Sequence, residues 1–161
     1  MERRAEFSEC RRYRYSLWRG WNKDLPLVAV IGLNPSTADE IDDDPTIRRC
    51  IAYAKREGFG GLVMLNLFAR RSTDPKQLRK VADPVGIDND KVLKEYHALA
   101  ERTIAAWGVH GGMSYRDMEV IRLLARIGPL YCLGRTKGGY PKHPLCLPNN
   151  APTELYCGTA T

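Results

Sequence analysis

The stretch VAVIGLNPSTADEIDDDPTIRRC, residues 28–50, decides how this chain is read. Leu27 to Ile31 is a short apolar run without alternation, the pattern of a strand covered on both faces. It stops at Gly32 and opens into Leu33-Asn34-Pro35-Ser36, followed by three adjacent aspartates, Asp42 to Asp44. Asp44-Pro45 is a helix start, with an N-cap acid followed by proline at the first helical position. The helix is expected to run to about Glu57 and to stop at Gly58, with Ile47, Cys50, Ile51 and Ala54 on one face. A buried strand, a polar turn, an acidic loop and a helix make one α/β unit.

Working outward, the pattern repeats. GLVMLN at 61–66, TIAAW at 103–107 and LYCL at 130–133 read as further strands. Asp74-Pro75 opens a short helix, and residues 91–102 form another helical segment. Ser114 with Asp117 resembles a capping box, opening a helix through Ile127 whose apolar face is Met118, Ile121, Leu124 and Ala125. RRYRYSLW, about residues 11–18, alternates basic and aromatic side chains and reads as an edge strand. The proline- and glycine-rich remainder is loop-like, and the tail at about 150–161 reads as disordered. These elements predict one α/β domain over residues 1–161, a three-layer α/β/α sandwich around a short, mostly parallel four-stranded sheet. In such sheets ligands bind beyond the carboxyl ends of the strands. Here those ends carry GLNP, LNLF, WG and GRT.

The 161 residues are 43% hydrophobic with a net charge of +6. This suits a globular domain and favours an anionic partner, nucleic acid or a nucleotide. No segment reaches the roughly 18 apolar residues of a membrane span, and the N-terminus lacks the apolar core of a signal peptide. The five cysteines, at 10, 50, 132, 146 and 157, form no CxxC pair, which removes common zinc and iron–sulfur spacings and fits a reducing cytoplasm. No cofactor is called for, and the oligomeric state is left open.

GLNPS at 32–36, MLNLF at 64–68, AAWGVHG at 105–111 and KHPLCLP at 142–148 stand in order at the four strand ends. This ordered set resembles the uracil-DNA glycosylase superfamily, which has a short parallel sheet, a first-strand G-[QIL]-[DN]-P motif, an Asn ending the second strand, a WG-type turn and a late HP motif. The chain is also identified as a member of a bacterial and phage family of unknown function. YRYSLWR, GLNPSTAD, DDPTIRRC, NLFARRSTDP, DPVGIDND, AWG and LGRTKGGYPKHPL carry that resemblance.

The glycosylase resemblance implies recognition of a base in a pocket, with hydrolysis of an N-glycosidic bond in DNA. It implies that His143 stabilises the departing base, that Asn66 reads the base edge, and that Asn34 stands where the fast enzymes carry Asp. The mismatch-specific branch also has Asn at that position. Asn can position water but cannot accept a proton, so another acid is expected to compensate: Asp43 and Asp39 are the ones that could face the pocket, and Asp43 is the chosen candidate. Asp42–Asp44 also have the oxygen donors of a divalent-cation loop. Phe68 can stack on the base. Ser36, Arg48, Arg70, Arg71, Arg135 and Lys137 are the expected phosphate contacts. Two alternatives stay open: a non-catalytic module binding a nucleotide or modified base, and a hydrolase of free nucleosides or nucleotides.

Overall fold

A computed structural model describes residues 1–158. Seven strands form one sheet: β1 (Glu2–Phe7), β2 (Arg14–Gly20), β3 (Leu27–Gly32), β4 (Gly61–Asn66), β5 (Arg102–Ala105), β6 (Leu130–Cys132) and β7 (Glu154–Cys157). Their order is β1-β2-β4-β3-β5-β6-β7. The four expected strands are β3, β4, β5 and β6, and they run parallel to one another. The expected four-stranded, mostly parallel sheet is corrected by the other three. β1, β2 and β7 join through antiparallel pairings, so the sheet is mixed.

β2 is not the predicted edge strand. It lies between β1 and β4, and five of its seven residues are buried. Of the arginines that suggested an exposed edge, Arg11 and Arg12 are exposed but precede β2, whereas Arg14, within it, is 3% exposed; Arg19 further along β2 is fully buried. The tail expected to be disordered includes β7, which hydrogen-bonds to β6, whereas residues 159–161 lie outside the described residues.

The apolar runs of β3 and β4 follow from burial on both faces. Ala29, Ile31, Val63 and Leu65 pack on one face against α2 (Asn89–Leu99) and α3 (Arg116–Ala125). Val28, Val30, Leu62 and Met64 pack on the other against α1 (Pro45–Arg56), through Ile47, Cys50, Tyr53 and Ala54. Each fully buried aliphatic side chain contributes roughly 1.5–3 kcal/mol. Asp44 caps α1 as predicted, its carboxylate accepting from Ile47 N at 2.9 Å, with Pro45 in the first turn. Asp74 likewise caps a 3-10 helix, Pro75–Lys80.

The start of α3 differs from expectation. Ser114 and Tyr115 both adopt left-handed backbone, at φ 54° and 55°, so no capping box forms. Asp117 instead accepts from Met118 N. The helix ends at Ala125, and its buried residues are Arg116, Asp117, Val120 and Leu124, while Met118 is half exposed.

Candidate functional site

Beyond the carboxyl ends of β3, β4 and β5 lies a cleft of about 520 Å³. Its floor comes from the strand ends. Gly32 pairs with Asn66 across β3 and β4, and a Cβ on Gly32 would lie 3.1 Å from Asn66 Oδ1. Glycine thus makes room for the Asn66 carboxamide in a register dictated by two apolar strands. The walls are tied by backbone bonds: Phe68 N donates to Leu33 O, Ser72 N to Pro35 O, and Gly108 N to Pro141 O, each at 2.9 Å. The loops after β3 and β4 are therefore held together, as are those after β5 and β6.

The cleft brings together Asn34, Ser36, Asn66 and His143. Asn66 is 3% exposed, and its Nδ2 is buried with no hydrogen-bond partner. An unmet buried donor of this kind costs roughly 1–3 kcal/mol. The backbone behind it is fixed: Asn89 Nδ2 donates to Asn66 O and Leu67 O at 3.0 Å, and the buried Arg116 donates from Nε to Leu67 O.

Asn34 uses its amide for architecture. Nδ2 donates to Pro35 O at 3.1 Å and to Ser72 O at 2.9 Å. Two carbonyl acceptors require a donor, which an aspartate at this position would not supply.

His143 opens a single 3-10 turn, Pro144–Cys146, and its Nδ1 accepts from Leu145 N at 3.1 Å. That bond places the proton of the neutral ring on Nε2. Burial pulls its pKa down, opposed by the Asp44 carboxylate. The ring is thus a neutral Nε2–H donor. Arg49 holds the following segment to α1 through Leu147 O at 2.6 Å.

Other expected site residues lie elsewhere. Asp43 is bound to Arg19 Nε at 2.8 Å and to Arg3 at 3.2 Å, outside the cleft lining. Asp39 closes the loop by accepting from Ile41 N and Asp42 N. With Asp44 capping α1, the acidic stretch is folded upon itself, and no group of three or more metal-ligating side chains occurs among the described residues. Phe68 is 1% exposed in the core and does not line the cleft. Arg48 reaches back to Asp43 O. Arg135 lies over the Tyr156 ring and donates to the β7 carbonyls. Lys137 is exposed in a turn outside the cleft lining.

Arg70 and Arg71 line a trough of about 390 Å³ with Arg11 and Arg12. The trough shares Ser36, Ser72 and Thr73 with the cleft. Arg11 and Arg71 pack on the Phe7 ring, and Arg70 on Tyr13, which orders the guanidinium groups.

Sequence reasoning missed Arg14 and Trp107 as cleft residues and gave Asp44 other roles. Asp44 reads in the sequence as a helix cap and as one of three adjacent loop carboxylates, and Arg14 precedes the GLNP motif by about 20 residues with no local signal. Trp107 was placed in the WG turn, and its buried Nε1 also lacks a partner. Gly111 packs so closely on its ring that a Cβ would fall 2.1 Å from Cδ1.

This is the geometry of a ligand cleft on an α/β scaffold. Residues 14–145 match the model of DUF1643, described as a protein of unknown function, and the chain belongs to that family. No curated protein and no solved structure matches it significantly. No helix among the described residues is long and apolar enough to cross a membrane.

Proposed function

We propose that this protein recognises the base of a nucleotide or nucleic acid in the cleft, in an arrangement like that of uracil-DNA glycosylases. The observation that carries the reading is the Asn66 carboxamide, buried at the end of β4 with its Nδ2 unpartnered. A carboxamide offers one donor and one acceptor group, the complement of a pyrimidine O4/N3 edge. The Nε2–H of His143 adds a donor in the same cleft, and the arginine trough adjoins it for phosphate.

Thermal unfolding in the presence of uridine, thymidine, cytidine and their monophosphates tests this. Stabilisation by at least one pyrimidine, reduced in Asn66→Ala, is expected. No shift with any nucleoside, nucleotide or oligonucleotide would refute the reading.

A second reading, hydrolysis of the N-glycosidic bond, draws on Asp44 and His143. Asp44 is the one carboxylate lining the cleft, and its charge acts on His143. In this reading Asp44 orients water and offsets positive charge on the sugar, while His143 Nε2–H donates to the departing base. Labelled duplexes carrying uracil, G·U, G·T or modified pyrimidines then become alkali-labile, and Asp44→Asn and His143→Ala lose that activity. Stable strands throughout, with ligand stabilisation retained, leave a binding module.

A further inference from the structure

Three arginines are buried in this molecule: Arg14, Arg19 and Arg116. Arg19 has Asp43 as its partner, and Arg116 has Asp90 and Glu119. Arg14 is different. Among the described residues no carboxylate lies within ion-pairing distance of its guanidinium. Its side chain makes one hydrogen bond, from Nη1 to Ala38 O at 2.9 Å, and its buried Nε has no partner. Burial lowers its pKa to about 10, opposed by the nearby but non-contacting Asp44 and Asp39 carboxylates, which leaves it protonated at neutral pH. Arg14 also lines the cleft. A buried cation without a contacting anion is costly for a fold to keep, unless something that binds there supplies the anion.

The surroundings agree. Asn66 Nδ2 is a further unpartnered donor in the same cleft, and Lys142 adds a second cation. Asp44 is the only carboxylate in the lining, and one of its oxygens is held by Ile47 N. The floor is therefore rich in donors and positive charge, and the ligand must be rich in acceptors and carry an anionic group. A cleft of about 520 Å³ is of the size that holds a small-molecule ligand.

We infer that Arg14 binds an anionic group of the ligand, and that the ligand is a nucleoside monophosphate whose phosphate enters the cleft together with its base. The anion-binding role stands on the Arg14 environment alone; its assignment to a nucleotide rests on the base-recognition reading above. A guanidinium donates to a phosphate in a planar fork, and such charge-assisted bonds are strong when water is excluded.

Calorimetric titration and thermal unfolding with uridine, thymidine, their 5′-monophosphates, ribose 5-phosphate and inorganic phosphate test this. A monophosphate is expected to bind on the order of tenfold or more tightly than its nucleoside. Arg14→Gln should abolish that difference while leaving nucleoside affinity in place, and Arg14→Lys should retain part of it. Equal affinity of nucleoside and monophosphate for the wild-type protein overturns the inference and leaves base recognition intact. This comparison holds even if the Arg14 variants fold poorly. A phosphate preference that persists in Arg14→Gln also overturns it. If ribose 5-phosphate stabilises the protein as well as every nucleotide does, and Arg14→Gln removes the effect, Arg14 is the anion site and the base reading falls.

Discussion

Asn34 illustrates how one side chain limits what a loop can do. Its amide bridges Pro35 O and Ser72 O, tying the turn after β3 to the segment after β4. Asn34→Asp replaces two donors by an anion facing carbonyl oxygens. We expect it to destabilise the protein by about 2–4 kcal/mol in urea unfolding at pH 7, with no gain in any hydrolytic activity. Wild-type stability in Asn34→Asp would refute this tethering role. His97 and His143 make a second prediction. Burial holds both imidazoles below their ordinary pKa, while Gly128 O accepts from His97 and Asp44 opposes the shift at His143. The unfolded chain takes up these protons at about pH 6.5 and the folded chain only at lower pH. Their contribution is therefore present above about 6.5 and lost as pH falls toward the folded-state values. The unfolding temperature should drop between pH 7 and 5, less steeply in His97→Asn. His143 and Asn66 were legible as candidates because each stands in a short motif at a strand end. Arg14 was not, because nothing beside it in sequence reports that its guanidinium lacks an anion.

The acidic loop and the turn after β5 show how elements shape the cleft. Residues 39–43 wrap around the fully buried Arg19, which donates to the Asp39 and Asp42 carbonyls and to the Asp43 carboxylate. Arg19→Met should cost on the order of 3 kcal/mol and expose the loop to proteolysis, measured by urea unfolding and the rate of cleavage within residues 39–43. Unchanged stability and cleavage would show that the loop stands without it. Gly111→Ala drives a methyl into the Trp107 ring. A loss of about 1–3 kcal/mol is expected, with a change in near-ultraviolet circular dichroism and weaker nucleotide-induced stabilisation. α1 was readable because its cap, its proline and its apolar spacing lie within a few residues of one another. The start of α3 was not, because the left-handed Ser114 and Tyr115 follow from how the Trp107–Tyr115 segment packs.

Cleft and trough together give the protein a graded surface, with a donor-lined floor and an arginine-lined approach. If a strand of nucleic acid follows the trough, its affinity depends on counterion release. Replacing Arg70 and Arg71 by Gln should make the salt dependence of oligonucleotide binding shallower by about 1.4 in the log–log slope. An unchanged slope would place the strand elsewhere. The sequence by itself determined the local grammar of this protein: the apolar strands β3 and β4, the Asp-Pro helix starts, and polar loops at the strand ends. These follow from steric preferences and burial patterns among residues close in the chain. Only the tertiary structure decided that β2 lies inside a seven-stranded sheet, that β7 extends it, and that Arg14 and Asp44 share a cleft with Asn66 and His143. It likewise decided that Asp43 belongs to Arg19 and that Phe68 is core. Those outcomes depend on which charges and donors meet across tens of residues, where burial and the choice of counter-ion, not local propensity, set the free energy.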